Sequence, residues 1–292
     1  MDREREQTAQ SFGEEVVKVV RFRVQRFRPE EGKAYVQEFQ VPVYRGMTVL
    51  DGLHYVRDNL DSTLAYRFSC RMGVCGSCGM FINGFPRLAC QTQILELGSD
   101  TVDVRPMPNY PVVKDLVPDL GPLFEKHRTV RPYVIRDPRE LEQPTGEFLQ
   151  KPEELEEFLQ FTYCIKCGLC LTACPTVATD PQYLGPQALA QAYRYCKDTR
   201  DAGMDERLKV AAGTEGPWRC HLAGACSEAC PKGVDPALGI QLLKRLALLR
   251  RWRLKKPHRP APLAGERTGV SRRPGIPEPP PPTVESEGSA SS

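Results

Sequence analysis

The spacing of the cysteines constrains this chain more than any other feature of its sequence. The 292 residues contain 12 cysteines, and all but Cys196 fall into three groups with short, regular spacings. This content is too dilute for a small secreted disulfide scaffold. The charged and polar start, MDREREQTAQ, lacks the apolar core of a secretory signal. We therefore expect a cytoplasmic protein whose close cysteines are reduced and bind metal.

The first group begins with the spacing C-x4-C-x2-C, which is that of a plant-type [2Fe-2S] loop. Its members are Cys70, Cys75, Cys78 and Cys90. Gly73, Gly76 and Gly79 stand between them, so the backbone can approach a cluster closely and its amides can bond the cluster sulfurs. Four-cysteine zinc sites usually pair two CxxC knuckles, and only one CxxC occurs here. The sequence therefore favours a [2Fe-2S] cluster over zinc.

The second group follows the run C-x2-C-x2-C-x3-C-P of two-cluster bacterial ferredoxins. Its members are Cys164, Cys167, Cys170 and Cys174, followed by Pro175. In such proteins the fourth cysteine ligates the other cluster. The third group repeats the run with one departure, because Ala223 stands where the second cysteine would be. Its members are Cys220, Cys226 and Cys230, followed by Pro231.

The exchange of fourth cysteines divides these ligands into two sets. The complete set, which predicts a [4Fe-4S] cluster, is Cys164, Cys167, Cys170 and Cys230. The incomplete set, which predicts a [3Fe-4S] cluster because alanine cannot ligate iron, is Cys174, Cys220 and Cys226. Cys196 could supply the missing ligand, but a buried, inert thiol on a helix is the ordinary interpretation and the one we adopt.

The periodicity of the remaining sequence predicts an α+β protein. Alternation over residues 16–27 buries Val20, Phe22 and Val24, and a second alternating run from Tyr35 to Val43 suggests a hairpin. A helix capped by Thr48 should follow, with a buried face made of Val49, Leu53, Val56 and Leu60. With the cluster loop and a strand at 101–107, these elements predict a β-grasp [2Fe-2S] ferredoxin-like domain over residues 16–107.

A tail of residues 1–15 precedes this domain, and a proline-rich connector over residues 108–151 follows it. We expect short helical pieces in the connector, such as VKDLVPDL. Residues 152–255 should form an all-helical domain of the bacterial ferredoxin type, with Pro152 opening its first helix and longer helices at 186–199 and 236–251. The proline-rich tail 256–292 is predicted to be disordered.

Three motifs together resemble the iron-sulfur subunit of succinate dehydrogenase and fumarate reductase, over residues 16–250. They are CRMGVCGSCGM, CIKCGLCLTACP and CHLAGACSEACPKGVDP. The resemblance implies a respiratory relay through [2Fe-2S], [4Fe-4S] and [3Fe-4S] clusters, between a flavoprotein subunit and a quinone at a membrane anchor. FAD belongs to the flavoprotein in this interpretation, because no GxGxxG motif follows a strand of this chain. The chain would then move electrons and do no organic chemistry.

The resemblance also implies a quinone beside the three-cysteine site. His221 matches a position that lies beside the quinone in many succinate dehydrogenases, and Pro175 belongs to the same wall. Packing of the histidine by the cluster loop is an equally good interpretation. Where those enzymes often carry a tryptophan after the CP pair, this sequence has Thr179 or its neighbours, which leaves the quinone type open.

The resemblance predicts a peripheral subunit on the cytoplasmic side of the inner (plasma) membrane, held there by anchor subunits. The segment 244–259 carries eight Lys or Arg residues and Trp252, and it suggests contact with anionic headgroups or with the anchor. A solvated helix end is the plainer alternative. The net charge of +3, without a reading motif, argues against nucleic acid as a partner.

Other functions stay open from the sequence alone. A related assembly couples fumarate reduction to a thiol donor, but it usually adds a cysteine-rich domain that this sequence lacks. A cluster-based redox sensor or scaffold would need no flavoprotein partner. The direction of catalysis, between succinate oxidation and fumarate reduction, is not set by the sequence, and neither is the anchor's content of haem b.

Overall fold

A five-stranded mixed sheet forms the first part of the chain in the computed structural model, which describes residues 15–142 and 146–252. Its strands are β1 (Lys18–Arg28), β2 (Lys33–Val43), β3 (Gly79–Ile82), β4 (Phe85–Leu88) and β5 (Thr101–Arg105). Their order is β2-β1-β5-β3-β4, with β1 and β5 parallel and the other pairs antiparallel. Val20, Phe22 and Val24 are fully buried, so the predicted inward face of β1 is confirmed.

A helix packs across this sheet and completes the predicted β-grasp arrangement. Helix α1 (Val49–Tyr55) begins at Thr48, whose side chain accepts a hydrogen bond from the Asp51 amide while Asp51 bonds the Thr48 amide in return. The predicted burial of Leu60 is wrong, because its side chain is 43% exposed. Residues Val56–Leu60 form a π-helical turn, and the extra residue in that turn removes Leu60 from the apolar stripe.

The connector contains a hairpin where the sequence predicted a short helix. Strands β6 (Val112–Lys114) and β7 (Val117–Pro118) replace the helical interpretation of VKDLVPDL, which is wrong. Asp115 turns the chain in the left-handed region, at φ 48°. Its buried carboxylate accepts hydrogen bonds from the amides of Phe27 and Ala65, so the turn is fixed to the sheet domain. Two helices follow in the connector, α2 (Gly121–Thr129) and α3 (Pro138–Glu142).

The rest of the described chain is helical, as predicted. The helices are α4 (Pro152–Glu156), α5 (Leu159–Thr162), α6 (Leu169–Thr172), α7 (Pro175–Thr179), α8 (Gly185–Lys197), α9 (Met204–Ala211), α10 (Ala225–Glu228) and α11 (Pro236–Arg251). The two longest, α8 and α11, pack at the centre. A Cβ on Gly239 of α11 would lie 3.3 Å from the Cα of Ala190 in α8, so glycine allows their close approach.

A buried ion pair joins the connector to the helices. Arg207 and Asp201 are fully buried and form two hydrogen bonds of 2.9 Å. The guanidinium also donates to the carbonyl oxygens of Val130 and Tyr133, so its donors are satisfied within a low-dielectric site. Over residues 15–142 and 146–252, no helix has the length and apolarity to cross a bilayer. The predicted tail 256–292 lies outside the described residues, as does nearly all of the tail 1–15.

Candidate iron-sulfur cluster sites

The first cysteine loop folds its amides toward its own sulfurs. The Sγ atom of Cys70 accepts hydrogen bonds from the amides of Val74 and Cys75, both at 3.2 Å. The backbone N–H groups of Met72, Cys75 and Val74 lower the pKa of Cys70 to about 6. The same amides would bond the thiolate of a ligated cluster. This arrangement fits the predicted [2Fe-2S] site.

The sheet holds the other two cysteines of this group. Cys78 directly precedes β3, and Cys90 follows β4 in a 3₁₀ turn, Ala89–Gln91. The Ala89 amide donates to the carbonyl oxygen of Cys78 at 3.0 Å, which joins the two ends. Burial raises the pKa of Cys78 to about 12, with Cys90 and Cys75 close enough to contribute. The structure thus brings all four predicted ligands together at one edge of the sheet.

The first loop touches the second cysteine run at Gly76. This residue has φ +73°, and a Cβ built on it would lie 2.6 Å from the Cβ of Cys167. Nearby, the hydroxyl of Tyr110 donates to the carbonyl oxygen of Gly168 at 3.1 Å. At position 76, only glycine can lie this close to Cys167 without a shift of the backbone. The contact therefore connects the [2Fe-2S] loop directly to a predicted ligand of the next cluster.

Two separate cavities surround the remaining predicted ligands. The first is lined by the whole predicted four-cysteine set: Cys164, Cys167, Cys170 and Cys230. The second is lined by the whole predicted three-cysteine set: Cys174, Cys220 and Cys226. Each run ends in a cysteine that follows a one-turn helix, α6 or α10, and this fourth cysteine lines the cavity of the other run.

The two runs have matching backbone conformations. Lys166 and Gly168 lie in the left-handed region, at φ 55° and 85°, and Leu222 and Gly224 repeat this pattern at 57° and 77°. Each glycine is then the N-cap of a four-residue helix. Ala223 therefore occupies the position that Cys167 holds in the first run, and it lines the three-cysteine cavity without a thiol.

Burial makes the thiols of Cys167, Cys170 and Cys226 difficult to ionise in the absence of a cation. Burial raises the pKa of Cys167 to about 12 and that of Cys226 to about 11, and it raises the pKa of Cys170 well above its ordinary value. Neighbouring cysteines oppose each ionisation further. Iron would reverse this balance, because a bound cation deprotonates a coordinating thiol. The donor set therefore suits iron-sulfur clusters.

Two buried side chains next to the cavities have no recognisable pattern in the sequence. The Tyr183 hydroxyl and the Gln187 Oε1 atom are buried without a hydrogen-bond partner among the described residues. Tyr183 lines the three-cysteine cavity, and Gln187 lines the four-cysteine cavity. A lone tyrosine or glutamine has no spacing signature, so only their burial in the fold reveals them.

The predicted quinone residues lie in different places. Pro175, the first residue of α7, and His221 are both exposed and both line the three-cysteine cavity. Thr179 does not line it; its hydroxyl donates to the carbonyl oxygens of Pro175 and Thr176 in α7. Cys196 is fully buried on α8 and lines neither cavity, and burial raises its pKa to about 12.

A β-grasp cysteine loop that contacts the first of two paired cysteine runs defines a two-domain iron-sulfur protein. Residues 21–125 match the family model of the 2Fe-2S iron-sulfur cluster binding domain, and residues 160–234 match that of the 4Fe-4S dicluster domain. The chain belongs to the family of iron-sulfur subunits of fumarate reductase and succinate dehydrogenase, as the following relatives show.

The fumarate reductase iron-sulfur subunit of Mycobacterium tuberculosis is 49% identical over 226 residues, which is 77% of this chain and 91% of the relative. The succinate dehydrogenase iron-sulfur subunit of Paracoccus denitrificans is 38% identical over 231 residues, or 78% of this chain and 88% of the relative. A solved structure, the Mycobacterium smegmatis Sdh1 complex in the apo form, contains a chain that matches with TM-score 0.71 and 28% identity. This match covers 80% of our chain and 97% of that one.

Proposed function

We propose that this chain carries electrons through three clusters in series, between a flavoprotein subunit and a quinone at the membrane. The order is [2Fe-2S], [4Fe-4S] and [3Fe-4S]. The observation that carries the proposal is the pair of cavities, one lined by four cysteines and one by three. When bound, the clusters supply sites that accept and release single electrons. The chain's residues hold these sites near one another.

Contacts between the cysteine groups support the series order. Gly76 of the first loop meets Cys167, a ligand of the four-cysteine cavity. Cys170 of that cavity lies in the one-turn helix α6, and Cys174 of the next cavity follows the end of the same helix, so the second and third sites are adjacent. A linear arrangement of this kind suits a relay, whereas a sensor or scaffold needs no such sequence of sites.

The partners follow from the family. We infer that a flavoprotein subunit holds FAD and interconverts succinate and fumarate, and that anchor subunits hold this chain at the cytoplasmic face of the membrane. The quinone would lie at the outer wall of the three-cysteine cavity, where Pro175 and His221 are exposed. There the His221 imidazole could donate a hydrogen bond to a quinone oxygen or move a proton to it.

The test is a redox titration of the intact complex, followed by electron paramagnetic resonance. We expect a [3Fe-4S] signal in the oxidised state, a [2Fe-2S] signal on reduction, and a [4Fe-4S] signal at the lowest potentials. An oxidised complex without a [3Fe-4S] signal would contradict the assignment of three ligands. Rates of succinate oxidation and of fumarate reduction, each measured with ubiquinone and menaquinone analogues, would then give the physiological direction.

A further inference from the structure

A buried phenol lies in the wall of the three-cysteine cavity. Tyr183 lines this cavity together with the three cysteines, and it is only 1% exposed. Its hydroxyl approaches the Cys220 thiol without meeting the geometry of a full hydrogen bond, and no other described group accepts from it. The phenol is therefore a buried hydrogen-bond donor that lies beside the Cys220 sulfur.

Two contacts fix the position of the Tyr183 phenol, one at its own backbone and one that joins its segment to the loop of Cys220. Lys126 donates a hydrogen bond of 2.6 Å to the carbonyl oxygen of Tyr183, which anchors the backbone. Asp180, three residues earlier, forms an ion pair with Arg219, the residue directly before Cys220. The loop that carries Cys220 is therefore tied to the segment that carries Tyr183. A ring held this way keeps its hydroxyl beside the cavity.

We propose that the Tyr183 hydroxyl donates a hydrogen bond to the Cys220 thiolate when that thiolate ligates iron, and that this bond raises the reduction potential of the three-cysteine cluster. The inference rests on the proposed function, because it requires iron at that site. Hydrogen bonds to the sulfurs of a cluster stabilise its reduced, more negative state. Tyr183 is thus a positioning and tuning residue, not a ligand.

The unpaired hydroxyl of Tyr183 favours a role as hydrogen-bond donor over a role in packing alone. A buried hydroxyl without an acceptor is destabilising, and phenylalanine would fill nearly the same volume without that penalty. A thiolate that appears on ligation provides the missing acceptor. Tyr110 is the useful contrast, since it is also a buried phenol beside a cysteine cavity, but its hydroxyl already donates to the carbonyl oxygen of Gly168.

The experiment is Tyr183→Phe in the complete complex, with the three potentials measured by redox titration. At a given ambient potential we expect the ratio of reduced to oxidised [3Fe-4S] cluster to fall about tenfold, which for a one-electron couple is a downward shift of about 59 mV. The [2Fe-2S] and [4Fe-4S] potentials should not change. Tyr110→Phe is the matched control and should leave the [3Fe-4S] potential at its original value.

The outcomes separate this inference from the proposed function. An unmodified complex without a [3Fe-4S] signal would overturn both. A normal signal whose potential is the same in Tyr183→Phe would overturn only the inference, as would an equal shift in Tyr110→Phe. If Tyr183→Phe does not assemble, 3-fluorotyrosine incorporated at position 183 provides a second test. Its phenol is a stronger donor, so the potential should rise, and an unchanged potential would again overturn the inference.

Discussion

The cysteine runs 164–175 and 220–231 follow the same backbone course but surround different cavities. Three of their differences bear on the cavities. The residue after the first cysteine is Ile165 in one run and His221 in the other, and the second ligand position is Cys167 in one and Ala223 in the other. Gly76 lies against Cys167, whereas Ala223 is exposed. The backbone therefore sets where the ligands point. A few side chains set how many cysteines line each cavity and whether the cavity faces the sheet domain or the outside.

The two runs exchange their fourth cysteines, and removing one of these cysteines should have the largest effect on the clusters. Cys230→Ala removes a thiol from the cavity lined by Cys164, Cys167 and Cys170. We expect loss of the [4Fe-4S] cluster, retention of the [3Fe-4S] signal, and a fall in succinate-to-quinone electron transfer of about 100-fold or more, because a middle site is lost. Iron content, resonance spectra and turnover of the complex measure this.

The control for that prediction is Cys196→Ala, which removes a buried thiol that lines neither cavity. All three clusters should survive in it, with only a modest loss of stability. If Cys230→Ala instead lost the [3Fe-4S] signal and kept the [4Fe-4S] cluster, the two ligand sets would have to be reassigned.

Ala223→Cys makes the two runs alike at the second ligand position. Because the backbone there repeats that of Cys167, the new thiol should complete a four-ligand site. We expect one additional iron per chain, disappearance of the oxidised-state [3Fe-4S] signal, and a lower potential at this site. Ala223→Val adds bulk without a ligand and should retain the signal. An unchanged iron content in Ala223→Cys would mean that the run does not direct this position toward the cluster.

The cysteines could be divided into three predicted ligand sets from the sequence because ligand spacing is local. The exchange of fourth cysteines also belongs to a motif that is visible in the sequence. Sequence reasoning predicted the β-grasp fold because alternation and helical periodicity agree with the local structure there. It failed at Leu60, where a π-helical turn shifts the register, and at residues 112–118, where the bonds of the Asp115 side chain favour a hairpin. It could not find Tyr183 or the contact of Gly76 with Cys167, because both depend on packing between distant segments.

His221→Ile makes the runs alike at the residue after the first cysteine, where the first run has Ile165. His221 is exposed at the three-cysteine cavity, so we expect quinone reduction to fall about tenfold, the worth of one hydrogen bond, with all cluster spectra unchanged. Succinate oxidation by an artificial acceptor that bypasses the quinone should stay normal. Thr179→Ala, whose hydroxyl bonds only its own helix, is the control for this surface. Equal quinone turnover in His221→Ile and the unmodified complex would refute the predicted role.

The smallest effect is expected at Gly76, which lies against Cys167, the second cysteine of its run. In Gly76→Ala the new Cβ would lie 2.6 Å from the Cβ of Cys167, so the first loop must move away from the second run. Gly84→Ala is the matched control, since Gly84 has φ +79° with no atom within 4 Å of its Cβ position. Both substitutions carry a left-handed backbone penalty of about 1–2 kcal/mol.

Only Gly76→Ala should also weaken the magnetic coupling between the reduced [2Fe-2S] and [4Fe-4S] clusters, because coupling between two spins decreases steeply with their separation. The relaxation rate of the [2Fe-2S] signal in the fully reduced complex measures this coupling, and thermal unfolding measures the stability. A Gly76→Ala complex that matches Gly84→Ala in both would show that the contact with Cys167 does not set the distance between the clusters. A slower-relaxing signal in Gly76→Ala alone would establish that the covered run, unlike the exposed one, is held against the sheet domain to connect two clusters.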